Sequence, residues 1–82
     1  MPKVPRDISG KHLAQLLNKY GYNITRQTGS HIRLTSTSKG FEHKITIPDH
    51  QTIKIGTLAN IVTDIAEYLQ ISKQDLLKEL FG

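Results

Sequence analysis

The sequence contains no cysteine and no tryptophan. Without thiols there can be no disulfide and no thiolate-held zinc or iron–sulfur centre. No apolar run is longer than two residues, which excludes a membrane-spanning helix and a signal-peptide core. A cytoplasmic protein with no membrane contact is therefore expected. Acidic residues are sparse and scattered, at Asp7, Glu42, Asp49, Asp64, Glu67, Asp75 and Glu79. Neither a paired-carboxylate pattern nor H-E-x-x-H occurs, and no two histidines stand at helical i, i+4 spacing. A glycine-rich nucleotide loop is also missing. These absences lead us to expect no metal and no cofactor.

What is present fits one small domain. A chain of 82 residues buries only about 60% of its unfolded surface, enough for a single core. Eleven Lys and Arg against seven Asp and Glu give a net charge of +4, which favours a phosphate-bearing partner. Met1 to Ile8 carries Pro2 and Pro5 among Lys3, Arg6 and Asp7, and reads as a flexible arm ahead of a domain spanning 9–82.

Ser9 suits an N-cap. Leu13, Leu16, Leu17 and Tyr20 then follow the i, i+3, i+4, i+7 rule of one helical face, and Gly21 is placed to end the helix. The spacing predicts a helix over Gly10–Tyr20. From Tyr22 the period changes to two. Tyr22, Ile24 and Arg26 share one parity, and Ile32 and Leu34 oppose His31, Arg33 and Thr35. The Thr28-Gly29-Ser30 break between these runs predicts a hairpin. After a polar turn at Ser36–Gly40, Phe41–Ile47 reads as a third strand, with Phe41, His43, Ile45 and Ile47 on one side and Pro48 as its end. A helix opening at Gly56-Thr57 carries Leu58, Ile61, Val62, Ile65, Ala66 and Leu69 as its apolar stripe. Ser72 with Asp75 marks the start of a short helix, Lys73–Phe81.

This order predicts an α+β fold: a three-stranded antiparallel sheet with helices on one face and the other face wet. The inward set would be Ile24, Ile32, Leu34, Ile45 and Ile47, beneath Leu13, Leu16, Leu17, Leu58, Ile61, Val62 and Ile65. If Ile32 and Leu34 point inward, His31 and Arg33 point to solvent, because a strand alternates faces.

The four histidines sort by the same geometry. His12 flanks a helix stripe and reads as solvated. His43 shares the parity of Ile45 and reads as partly buried. His50 sits in the loop after Pro48, and His31 opens a strand on the wet face beside Arg33. Ser30 would point away from His31, so a Ser–His nucleophilic pair is not formed. A lone imidazole with nearby cations suits cleavage of RNA, which carries its own nucleophile in the ribose 2′-hydroxyl. The ring would take the proton while Arg33 and Lys44, with Arg26, Lys39 and Lys54 farther out, hold phosphate. By its parity with Ile24, Arg26 would have to reach around the strand end. Tyr20, Tyr22 and Phe41 read as structural, so base stacking on an exposed platform is not expected. A non-catalytic double-stranded-RNA clamp and a partner-docking protein remain open beside this reading.

Taken in order, several pieces resemble one family. These are Ser9-Gly10-Lys11, Gly21-Tyr22, Arg26-Gln27-x-Gly29-Ser30-His31, Ile45-Thr46-Ile47-Pro48 with His50, and Gly56-Thr57-Leu58 with Ile61. Together they look like the HicA (YcfA-like) toxins of prokaryotic toxin–antitoxin modules. The resemblance implies a fold similar to the double-stranded-RNA-binding domain and an mRNA interferase activity. It also implies a HicB-type antitoxin that covers the active site. The family's catalytic histidine, in Gly-Ser-His, falls on His31, with Gly29 and Ser30 as its turn; Pro48-x-His50 offers His50 as a second acid–base group. The chain departs from many members in having Ala59-Asn60 after Gly-Thr-Leu and Ile32 after the motif histidine.

Overall fold

The structure, a computed structural model, describes residues 4–82. Three helices and three strands follow in the order α1 (Gly10–Leu17), β1 (Asn23–Thr28), β2 (His31–Ser36), β3 (His43–Pro48), α2 (Ile55–Leu69) and α3 (Lys73–Phe81). The strands form one antiparallel meander, β1-β2-β3. This is the predicted α+β arrangement, and the α-β-β-β-α order is the one the family resemblance implies.

Local chemistry accounts for the boundaries. The Ser9 hydroxyl accepts from the His12 amide at 3.1 Å, satisfying one of the free donors of the first turn of α1. The last turn of the predicted first helix tightens into a 3₁₀ turn, Asn18–Tyr20, closed by Gly21 at φ +85°. Ser72 caps α3 in the same way as Ser9 caps α1, accepting from the Asp75 amide at 3.0 Å. The second helix begins at Ile55, slightly ahead of the Gly56-Thr57 start read from the sequence.

Burial follows the alternation of β2. Ile32 and Leu34 are fully buried with Ile45 and Ile47 from β3, under Leu13 and Leu17 of α1 and Leu58, Ile61, Val62 and Ile65 of α2. Leu76, Leu77 and Leu80 of α3 complete the core, while Leu16 is only partly covered. Full burial of such a side chain contributes about 1.5–3 kcal/mol, so this cluster is what holds the helices to the sheet. The core also reaches into the segment read as an arm. Ile8 is 3% exposed and its carbonyl accepts from the Ile53 amide at 2.8 Å, so the packed domain includes it. The beginning of that arm, residues 1–3, lies outside the described residues.

The expectation for one aromatic residue changes. Phe41 lies before the third strand, not in it, and is 61% exposed, its ring edge-on to Tyr68 with centroids 4.9 Å apart. The turn that precedes β3 runs through this position because Tyr68 ties it down. The buried Tyr68 hydroxyl accepts from the Lys39 amide at 3.1 Å and donates to the Phe41 carbonyl. His43 is partly buried, as its parity predicts, and stacks on Tyr68 at 4.6 Å. Its Nε2 faces the Asp64 carboxylate at 3.2 Å, an acceptor only, so the proton of the neutral ring sits on Nε2. Nδ1 then accepts from the Tyr22 hydroxyl at 2.6 Å. Burial, followed by the proximity of Tyr68 and Asp64, pushes the Tyr22 phenol well above its ordinary range, and it remains the donor. His43 is thus a tie between β3 and α2, at the end of the sheet away from His31.

Candidate active site

The β1–β2 hairpin turns in two residues, Gly29 and Ser30, with Thr28 paired to His31. Gly29 has φ +55° and Ser30 does not have positive φ, the pattern of a type II′ turn. That turn matches the right-handed twist of the strands and brings His31 to the start of β2. On its other side His31 pairs with Pro48, and the Ser30 carbonyl accepts from the Asp49 amide at 2.7 Å. The loop after β3 is thereby fastened to the hairpin. A second link strengthens it, from Gln27 Nε2 to Asp49 Oδ2 at 3.0 Å.

His31 is exposed on the wet face, with Arg33 two residues on. Arg26 joins them, contrary to its parity in the sequence. The register passes from Ile24↔Leu34 to Arg26↔Arg33, so Thr25 is an extra residue in β1, a β-bulge. Its hydroxyl lies 3.1 Å from that of Thr35. One extra residue reverses every later side chain, so Arg26 and Thr28 share the face of Arg33 and His31 and no reach around the strand end is needed. Ile24 keeps its predicted side but is not buried as expected. It lies on the helix side opposite Leu34, yet is 56% exposed because α1 does not cover the outer strand.

Two depressions meet at His31. One, of about 220 Å³, is lined by Arg26, Thr28, His31, Arg33 and Thr46. The other, of about 330 Å³, is lined by His31, Thr46, Pro48, His50, Lys54 and Thr57. His31 and Thr46 form the wall between them, with two guanidinium groups on one side and an imidazole and an ammonium on the other. Neither depression is lined by an acidic side chain. Thr28, Thr46 and Thr57 are not read as site residues from the sequence, although Thr57 belongs to the Gly-Thr-Leu motif; the parity of Thr46 with Lys44 is the signal that places it on this face.

Lys44 and Lys39 are not gathered here. Lys44 pairs with Thr35, four residues along β2 from His31, or about 13 Å at the usual strand rise, and lies 3.7 Å from Glu42. Lys39 is in the turn at the opposite end of the β2–β3 pair. His12 is exposed on α1 and lines neither depression. Among the described residues no three His, Asp or Glu side chains converge as a set of metal ligands. None of the described helices is long and apolar enough to cross a membrane.

A meander packed under helices thus carries, on its open face, a histidine between two cation-lined depressions. The family model described as the HicA toxin of bacterial toxin–antitoxin matches residues 10–68. The chain belongs to that family and is a toxin of a toxin–antitoxin system, a class of protein that works opposite an antitoxin partner. No curated protein and no solved structure matches it significantly.

Proposed function

We propose that the protein is a metal-independent endoribonuclease of the mRNA interferase kind, acting in the cytoplasm and held in check by a HicB-type antitoxin. The observation that carries this reading is the position of His31, on the wall shared by two acid-free depressions. Its neutral imidazole takes the proton of a ribose 2′-hydroxyl. The 2′-oxygen attacks the adjacent phosphorus and the bond from phosphorus to the 5′-oxygen breaks. The products are a 2′,3′-cyclic phosphate and a 5′-hydroxyl, the latter protonated by His50 or by water. Arg33 and Arg26 hold the phosphate on one side, stabilising the charge that gathers on its oxygens, and Lys54 serves the other side. Lys44 and Lys39 are left to contact the RNA backbone farther from the cut.

The test uses purified protein, an RNA oligonucleotide and the same oligonucleotide with 2′-deoxyribose. Cleavage of the RNA alone, unchanged in excess EDTA and ending in a cyclic phosphate, is the expected result. Loss of activity in EDTA that magnesium restores would refute the mechanism, and RNA that is bound but never shortened would leave only a clamp.

The bulge gives a second measurement. Arg26→Ala should weaken RNA binding at every sequence tested and lower the slope of log K against log salt by about one, the signature of one lost phosphate contact. An unchanged slope would remove Arg26 from the binding face.

A further inference from the structure

The largest depression among those described lies outside this site. It is a groove of about 590 Å³ between α1 and β1. Ala14, Tyr22, Ile24 and Ile32 give it an apolar middle, Lys11 and Gln27 stand among its polar walls, and no acidic side chain lines it. β1 is an outer strand, and all six of its residues are exposed. Its free edge therefore offers unpaired backbone donors and acceptors alongside an uncovered isoleucine, a combination that folded proteins normally cover or blunt. The groove is in the size range of ligand clefts, about 300–1,000 Å³, but it runs beside a strand edge, which suits a length of chain better than a compact molecule.

Charge and continuity identify the occupant. Lys11 stands in the groove wall and Arg26 lies just over the strand edge on the other face. Asp49, held by Gln27 of the groove wall, is already engaged. A complementary segment is therefore apolar and acidic. Gln27 and Ile32 line the groove and are the register pair next to Thr28 and His31, so a segment lying there ends against the site hairpin. The Thr25 bulge bends the edge and restricts backbone pairing to a short stretch on either side, which disfavours a long sheet-to-sheet union of two copies.

We propose that this groove receives an extended segment of the antitoxin, added along β1, with apolar side chains seated over Ile24 and alternate acidic ones crossing the edge to Arg26. The proposal rests on membership of a toxin–antitoxin family and not on the ribonuclease reading. The antitoxin is thereby anchored mainly in a groove outside the candidate site, reaching the site's face only at Arg26, with its end directed at the histidine.

The test is the affinity of the full chain for the purified antitoxin of its module, measured by calorimetry, with melting temperature as the control for folding. Ile24→Arg should raise Kd at least about 30-fold, as loss of a central apolar anchor does, with the melting temperature unchanged because the side chain is exposed. Lys11→Glu, on the exposed helix surface, should raise Kd about tenfold through charge reversal. Amide exchange in the complex should slow along β1. The proposal is overturned if both variants bind as the parent does, or if slowed exchange is confined to the Gly29–Ser30 hairpin. It is also overturned if the parent alone forms a dimer that Ile24→Arg dissociates, which would give the groove to a second copy. RNA cleavage enters none of these readouts, so a catalytically silent protein would leave the result interpretable.

Discussion

His31→Ala should slow RNA cleavage by about 10²–10⁴-fold, the usual contribution of a positioned acid–base group, and should leave the melting temperature where it is. The second half of that expectation follows from the packing. The His31 side chain stands on the wet face and contributes nothing to the aliphatic cluster beneath the sheet. Its backbone pairs with Thr28 and Pro48, and alanine keeps both pairings. Single-turnover cleavage of labelled RNA alongside a thermal melt separates the two effects. A variant that cleaves at the parental rate would move the chemistry to another group. A variant that melts early would show that the ring has a structural role the packing does not reveal.

The largest effect on stability is expected from a glycine distant in sequence from the histidine. Gly10 opens α1 against the backbone of Pro48 and Asp49, and its amide donates to the His50 carbonyl at 3.0 Å. A Cβ built there would stand 2.1 Å from the Pro48 carbonyl oxygen, far inside contact distance, and the obstacle is backbone that no rotamer change can relieve. Gly10→Ala should gain up to about 1 kcal/mol from helix propensity and lose more than that. Overpacking costs about 1–3 kcal/mol and the displaced hydrogen bond about 1. A net loss of about 1–3 kcal/mol lowers the melting temperature of a domain this size by about 4–24 °C. Because the displaced segment carries His50, cleavage should fall as well, in a protein whose Gly29–Ser30 turn is intact. A melt within a degree of the parent would mean that α1 can pivot away from the β3 terminus at little cost.

The parts of this molecule legible in the sequence are those set by near neighbours. Ser9 and Ser72 cap their helices through amides three residues on, and Gly21 stops the first helix by its own backbone conformation. The alternation of β2 places His31 and Arg33 opposite Ile32 and Leu34 with no other information needed. Ile24 faces the side its parity predicts and is exposed only because α1 leaves the outer strand uncovered. Arg26 was not legible, because its orientation depends on how β1 registers against β2. The signal for that is one threonine whose hydroxyl meets another ten residues away. Nothing in the composition of β1 distinguishes a regular strand from one with an added residue. Phe41 went astray for a related reason: its position is decided by the Tyr68 hydroxyl, 27 residues later. The fastening of His50 to the hairpin likewise runs through Asp49, whose partners Gln27 and Ser30 lie on other elements.

The irregularity in β1 means that one choice of strand pairing governs two surfaces at once. Were Thr25 instead to pair regularly opposite Arg33, Arg26 and Gln27 would exchange faces of the sheet, taking a positive charge from the face proposed to meet phosphate and delivering it to the side proposed to receive the antitoxin. If both proposals hold, drift in RNA affinity and drift in partner choice are mechanically linked in this chain, and selection on either trait would be felt by the other.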